Sequence, residues 1–323
     1  MIRFENVTKR YDGTAVVSDF DLEINDGEFF VLIGPSGCGK TTTLKMINKL
    51  ILLSEGYLYI EGKKISEYDI QELRWNIGYV LQQIALFPNM TVEENITIVP
   101  EMKKWSKQDM HDRVTELLES VDLEPDKYRG RKISELSGGE QQRIGVLRAM
   151  AADPDIILMD EPFSALDPIT RHSLREDVMN LQHKFKKTIV FVTHDMQEAI
   201  ELGDRICVMN EGRIEQVGTA EEILKNPAND FVKEFLQTGL PHYREEVTVQ
   251  SFIEKEYYTT EDTNFDKTIG ADTTIDDLTL ILSRTPAVRV ASKDTEADRI
   301  ITQEHLIRYL ADEKQSTREG AVS

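Results

Sequence analysis

The chain has 323 residues, enough for two domains, and its 40% hydrophobic and 30% charged content suits a folded globular protein. Its formal net charge of −20 argues against binding nucleic acid or an anionic membrane through bulk electrostatics. No apolar run approaches the roughly 20 residues that span a bilayer, the start MIRFENVTKRYDG lacks a signal peptide's apolar core, and Cys38 and Cys207 give no disulfide framework. A soluble, cytoplasmic chain that docks on a membrane component is the expectation.

In chain order, "IRFENVTKRY", "AVVSDFDLEI" and "EFFVLIG" alternate as short strands. The third ends in a glycine-rich turn followed by "KTTTLKMINKL", where Leu44, Ile47 and Leu50 fall at helical spacing. Ser106 and Asp109 read as an N-cap pair before a helix carrying Met110, Val114, Leu117, Leu118 and Val121 on one face. "PDIILMDEP" and "KTIVFVTHD" are branched apolar runs with polar ends, as expected of buried parallel strands that hold functional side chains at their carboxyl ends. "RICVMNEGRIEQVG" reads as a hairpin turning at Asn210-Glu211-Gly212. "TAEEILKNPANDFVKEFL" reads as a helix capped by Thr219, a break at Pro227, and a second short helix. Composition then shifts at "QTGLPHYREE" to an acidic, threonine-rich remainder.

"GPSGCGKT", Gly34 to Thr41, matches G-x-x-x-x-G-K-[ST] between a strand and a helix. Glycines at Gly34, Gly37 and Gly39 let the successive amides of Ser36, Gly37 and Cys38 and their neighbours, past Pro35, turn inward on a polyphosphate, with the helix dipole behind them. Lys40 would reach the β- and γ-phosphates, and the Thr41 hydroxyl, beside Thr42, would ligate Mg²⁺. Cys38 reads as a small filler rather than a reactive thiol. Asp160 and Glu161 are adjacent carboxylates at a buried strand end, costly unless a cation meets them. Asp160 would hold Mg²⁺ and Glu161 would orient the attacking water; a plain strand end is the alternative. His194 could sense a γ-phosphate or be structural. Gln82 could be a metal ligand or a polar loop residue, and Tyr11 could stack on a purine or pack on a sheet. "LSGGEQQR" opens a helix with Ser137, Gly138 and Gly139, an anion-binding arrangement with no lysine beside it.

Tyr11, the 34–41 loop, Gln82, "LSGGE", "LMDEP", "SALD" (Ser164 to Asp167) and His194 occur in an order that resembles ATP-binding cassette (ABC) ATPases over residues 1 to about 236. The resemblance implies an α/β P-loop NTPase fold of the ABC ATPase type: a RecA-like core, a small antiparallel β-subdomain and an α-helical subdomain. It implies an ATPase that uses ATP and Mg²⁺. Tyr11 would stack on adenine, Glu161 would be the catalytic carboxylate, and His194 would contact the γ-phosphate. Thr41, Gln82 and Asp160 would serve the metal, with Gln82 also coupling the site to a transmembrane partner. Ser137, Gly138, Gly139 and Asp167 of one chain would act in trans on the ATP held by a second, making a head-to-tail homodimer. Glu140 stands where the family more often has glutamine, and is expected to point aside.

"LQQIALFPNMTVEENITIVPEMKKWSK" and "PANDFVKEFL" resemble more narrowly the ATPase subunits of bacterial importers for quaternary-ammonium osmoprotectants (glycine betaine, carnitine, choline). That implies two transmembrane permease subunits, an extracellular substrate-binding protein acting through them, and a peripheral place on the cytoplasmic face of the cell membrane. "LFPNMTVEENI" would meet the coupling helices of the permease. An importer for another solute, such as an amino acid or polyamine, is the alternative reading. A soluble ABC ATPase outside transport is disfavoured, because there is one cassette and only about a hundred residues separate the phosphate loop from "LSGG". Residues 237–246 read as a linker and 247–323 as a regulatory region. There "TTIDDLTLILSR", "PAVRVAS" and "ADRIITQEHLIRYL" (helix, strand, strand, helix) resemble one degenerate cystathionine-β-synthase-type (CBS) repeat, a small α+β unit at about 270–312. Such repeats work in pairs, so two tails would pair, with a regulatory nucleotide between them or none.

Overall fold

The computed structural model describes residues 1–83, 85–164, 166–240, 248–260, 265, 267–291 and 299–309. Contacts divide the chain into two units, residues 1–241 and 242–323.

Two sheets organise the first unit. One is antiparallel in the order β2-β1-β4-β5, from β1 (Ile2–Tyr11), β2 (Thr14–Ile24), β4 (Glu55–Ile60) and β5 (Lys63–Lys64). Alternation in "IRFEN" buries Ile2 and Phe4 on one face, and Phe4 meets Phe20 edge-on with ring centroids 5.3 Å apart. The other sheet runs β10-β9-β3-β8-β7-β6. Its strands are β3 (Phe29–Ile33), β6 (Ile77–Val80), β7 (Ile156–Asp160), β8 (Thr188–Thr193), β9 (Arg205–Asn210) and β10 (Arg213–Gly218). Strands β9, β3, β8, β7 and β6 are mutually parallel, and only β10 is antiparallel, returning through the hairpin expected at residues 210–212. Every residue of β3, β7 and β8 is buried, which is why these runs are continuously apolar and not alternating.

Helices of this unit are α1 (Lys40–Ile47), α2 (Ile70–Trp75), α3 (Val92–Met102), α4 (Lys107–Glu119), α5 (Pro125–Tyr128), α6 (Gly138–Met150), α7 (Pro168–Phe185), α8 (Met196–Leu202), α9 (Ala220–Lys225) and α10 (Asp230–Gly239). Ser106 caps α4 by accepting from Asp109 N at 3.1 Å, and Val114, Leu117 and Leu118 are buried as the periodicity requires. Val121 is buried too, but it lies beyond the helix end. Leu50 corrects the sequence expectation: α1 stops at Ile47, Lys49 takes a φ of 53°, Leu50 N bonds back to Lys45 O at 3.0 Å, and the Leu50 side chain is 49% exposed. The left-handed residue closes the helix before the spacing would.

The second unit has its own core of Val249, Phe252, Leu278, Val288, Ile301 and Tyr309. Phe252 and Tyr309 stack with centroids 4.4 Å apart. Its elements are α11 (Val249–Glu254), β11 (Lys267–Ile269), α12 (Ile275–Leu282), β12 (Ala287–Val290) and β13 (Arg299–Thr302), with residues 303–309 helical. β11 pairs parallel and β13 antiparallel with β12. Helix α12 and strands β12 and β13 fall on the three segments singled out in the sequence; β11 and α11 are additions. Linker residues 241–246, residue 247 of the tail, and the stretches 292–298 and 310–312 of the suspected repeat lie outside the described residues. Among the described residues no helix is long and apolar enough to cross a membrane.

Candidate functional site

Adjacent parallel strands β3, β8, β7 and β6 point their carboxyl ends the same way, and each carries one expected element. After β3 comes the 34–41 loop, after β8 His194, at the end of β7 Asp160 and Glu161, and after β6 Gln82. This is the sheet edge where open α/β folds bind ligands.

In the loop, Gly39 is the N-cap of α1 with φ 103°, and no side chain caps the helix. A Cβ on Gly39 would come within 2.8 Å of Val16 O, so both conformation and space require glycine. With no capping side chain, the first-turn amides keep their donors for an anion. Lys40 is 6% exposed, and its Nζ donates to Gly34 O at 2.7 Å and Pro35 O at 2.9 Å. Pro35 is half-buried, Ser36 and Gly37 are exposed at the crest, and Thr42 is half-buried in the first turn. Cys38 is buried with Lys40 Nζ 3.8 Å from its Sγ, and burial pushes its thiol pKa up despite the ammonium. The filler reading of Cys38 agrees with that burial.

Thr41 Oγ1 donates to Asp160 Oδ1 at 2.7 Å across 119 residues of sequence. Asp160 is 5% exposed, and the Tyr79 hydroxyl lies 3.4 Å from its other oxygen. Burial first, and the Asp160 charge second, push the Tyr79 phenol up. Glu161 N closes the strand on Val192 O at 3.0 Å, and its φ of 45° turns the side chain out of the sheet. Its Oε2 lies 3.2 Å from His194 Nδ1 and 3.4 Å from Gln82 Nε2. The structure therefore brings Gln82, Glu161 and His194 together beside the Thr41–Asp160 pair. A hydroxyl, a carboxylate and an amide oxygen form an all-oxygen donor set, which fits Mg²⁺. Tyr11 ends β1 at the Asp12-Gly13 turn; its ring is 43% exposed with Lys9 Nζ 4.6 Å from its centroid. Tyr11 pairs with Thr14 in the small sheet while its ring stays exposed.

Ser137, Gly138, Gly139 and Asp167 form a second group. Ser137 caps α6, its Oγ accepting from Glu140 N at 3.3 Å while Glu140 Oε2 accepts from Ser137 N at 2.7 Å. Glu140 Oε1 accepts from the Tyr128 hydroxyl at 2.7 Å, and this bond, with Ser137's, holds the carboxyl below its ordinary pKa. Glu140 is thus held aside by the cap of its own helix and by Tyr128 of α5, as expected. The amides of Gly138 and Gly139 have no acceptor within the helix, and the Ser137 hydroxyl proton remains available. Asp167 caps α7, accepting from Ile169 N and Thr170 N, both at 3.1 Å. A Cβ on Gly139 would collide with Thr170 Cγ2, so the first turns of α6 and α7 sit side by side.

Two supports were invisible in the sequence. Gln142, 4% exposed on α6, donates to Pro162 O at 2.7 Å and ties that helix to the residue after Glu161. Arg148, further along α6, donates to Ala85 O at 2.7 Å and braces the loop that follows Gln82. Each reaches a backbone carbonyl, and a carbonyl leaves no mark in a sequence.

Fold and site together define a phosphate-loop nucleotide-binding protein with a separate, lysine-free helix terminus. A model of the ABC transporter family matches residues 17–164. The glycine betaine/carnitine/choline transport ATP-binding protein OpuCA of Bacillus subtilis is 58% identical over 237 residues, which is 73% of this chain and 62% of that protein. The glycine betaine uptake system ATP-binding protein YehX of Escherichia coli is 45% identical over 235 residues, 73% of this chain and 76% of that protein. The ATP-binding cassette MJ0796, solved as a dimer in a post-hydrolysis state with ADP and Pi, superposes with a TM-score of 0.60 at 35% identity, over 68% of this chain and 98% of that one. The chain belongs to the ABC transporter family and spans about three-fifths of the length of the first relative, 62%.

Proposed function

We propose that this chain is the ATP-hydrolysing, energy-coupling subunit of an importer for quaternary-ammonium osmoprotectants of the glycine betaine, carnitine and choline class. The observation that carries the ATPase reading is the row of strand ends that sets the 34–41 loop, Asp160, Glu161, His194 and Gln82 along one edge. The names of the relatives support the solute class.

ATP is held by the amides of residues 36–42, by Lys40 leaving the loop carbonyls for the β- and γ-phosphates, and by Tyr11 under the adenine. Thr41, Asp160 and Gln82 would hold Mg²⁺, which would supply neutralisation of phosphate charge when bound. Glu161 accepts a hydrogen bond from the attacking water and aligns it, and His194 holds that carboxylate and the γ-phosphate in register. Ser137, Gly138 and Gly139 of a second copy donate to the same γ-phosphate, with Asp167 beside them, so ATP bridges two chains. Hydrolysis removes the shared contact and the dimer opens. This places the chain on the cytoplasmic face of the cell membrane, under two permease subunits fed by an extracellular binding protein, with residues 86–96 toward the permease. Residues 1–236 form the ATPase domain, 237–246 the linker, and the tail a CBS-like regulatory unit that pairs with a second tail. Its helix-strand-strand-helix order supports that reading.

The test is Glu161→Gln. The variant binds ATP, hydrolyses it about 10²–10⁴-fold more slowly and accumulates as an ATP-dependent dimer in size-exclusion chromatography. Unchanged turnover removes Glu161 from the catalytic role. Uptake of labelled glycine betaine, carnitine and choline in cells with and without the chain tests the solute class, with labelled proline as the control; uptake of none of the three refutes it.

A further inference from the structure

Behind the Glu161–His194 pair lies a cluster that the nucleotide site does not use. His194 sits in a short turn between β8 and α8, and both flanking residues are fixed from inside. Thr193 Oγ1 donates to the carboxylate of Glu198, 5% exposed, at 2.5 Å, and accepts from Asp195 N at 3.0 Å. Asp195 Oδ1 caps α8 through Gln197 N at 2.9 Å, leaving Oδ2 facing Arg171 Nη1 at 3.8 Å. Arg171 stands on the first turn of α7, and its Nη2 donates to Leu166 O at 3.2 Å. Leu166 belongs to the Ser164–Asp167 segment, which begins on Glu161: Ser164 N and Oγ donate to Glu161 O at 3.3 and 3.0 Å. One guanidinium therefore touches the segment that carries Asp167 and the turn that carries His194. The neighbouring Arg175 is already committed to Glu201 at 2.7 Å.

The Arg171 fork is not saturated. Its Nε is buried and has no hydrogen-bond partner among the described residues, and its contact with Asp195 is a long one. A cavity of about 20 Å³, bordered by Arg171, Glu161, His194, Asp195 and Glu198, leaves it room to shift. A planar fork shared by two segments transmits displacement, because moving one acceptor costs the bond to the other unless both move.

We infer that Arg171 is a positioning residue that ties the partner-facing Ser164–Asp167 segment to the His194 turn within one chain, so that engagement of Asp167 at a dimer interface sets where His194 stands relative to Glu161. The inference rests on the ATPase and dimer reading above and adds a regulatory connection to that site. Glu198 and Thr193 are the fixed side of the device, Leu166 O the moving side.

The test compares Arg171→Ala, Arg171→Lys, His194→Ala and the Arg171→Ala/His194→Ala double variant in the full chain. ATP affinity, read by titration with a fluorescent ATP analogue, stays within about twofold for both Arg171 variants, while kcat of Arg171→Ala falls about tenfold and Arg171→Lys lies between. The double variant is no slower than His194→Ala alone, because both substitutions remove one unit. Multiplying effects in the double variant overturn the inference, as does full activity in Arg171→Ala. A readout independent of turnover separates this from the ATPase reading. In ¹⁵N-histidine-labelled protein, Asp167→Ala moves the His194 imidazole resonances when Arg171 is present and leaves them unmoved in Arg171→Ala. If the unaltered chain fails to hydrolyse Mg-ATP, the ATPase reading falls, and the resonance comparison still decides the link: equal shifts with and without Arg171 refute it.

Discussion

Helix α1 follows a glycine cap and α6 begins with two glycines, and both offer amides to an anion, yet they are finished in opposite ways. At α1 the cap residue is Gly39, no side chain closes the helix, and Lys40 and Thr41 in the first turn bring a cation and a hydroxyl. At α6 the Ser137–Glu140 capping box consumes the third-residue amide and Ser137 N, leaving two glycine amides and one hydroxyl proton. On the proposed function the first terminus holds a polyphosphate by itself, and the second completes the binding of one held by another copy. The difference between them is concrete: the α6 start is capped without a ligand, spares a few donors, and has no cation of its own.

The largest break in that comparison is expected from Lys40→Ala. Losing charge-assisted bonds to phosphate weakens ATP binding by roughly 10- to 100-fold by equilibrium titration, whereas no change in α6 should alter the affinity of the single chain by more than about twofold. Next, Ser137→Arg in the Glu161→Gln background abolishes the ATP-dependent dimer in size-exclusion chromatography while single-chain ATP affinity persists. Its thermal stability drops by about 1 kcal/mol for the lost cap. Retained dimer would sink the proposed shared site.

The two α6 glycines then separate. Gly139→Ala is overpacked against Thr170 Cγ2 and costs about 1–3 kcal/mol in chemical denaturation. Thr170→Ser, which removes that methyl, restores most of it. Gly138 faces open space, so Gly138→Ala stays within about 0.5 kcal/mol. The smallest effect is Glu140→Gln. Bonds from Tyr128 and then Ser137 hold the Glu140 carboxyl below its ordinary value. A depressed carboxylate stabilises the fold above its unfolded pKa and loses that contribution as pH falls through the folded value. Since glutamine also closes a capping box and the carboxylate is solvent-screened, the variant loses at most about 0.5 kcal/mol at neutral pH. The gap to the parent narrows to nothing as the pH is lowered into the acid range.

Motif residues were legible because they sit at strand ends and helix starts, where sequence and geometry coincide. β3, β7 and β8 announced themselves as apolar runs, and the loop, Asp160, Glu161 and His194 followed directly on them. What escaped was whatever depends on distant partners. The end of α1 is decided by Lys49 adopting a left-handed conformation, not by the periodicity that made Leu50 look buried. Gly139 reads as a residue for phosphate, yet Thr170, 31 positions later, also forbids a side chain there. Gln142 and Arg148 carry no signal in the sequence, because their acceptors are the carbonyls of Pro162 and Ala85. In the second unit the short strand Lys267–Ile269 is too brief to carry an alternation, and only its parallel pairing with β12 identifies it.

The backbone of Glu161, at φ 45°, has one further consequence. An L-residue in that conformation carries a steric cost of about 1–2 kcal/mol that glycine does not. The position thus favours, on stability alone, a residue with no side chain, and the carboxylate stands there against that preference. Glu161→Gly should therefore melt no lower than the parent chain while losing the carboxylate altogether, so that stability and the proposed catalytic role can be read separately at one position.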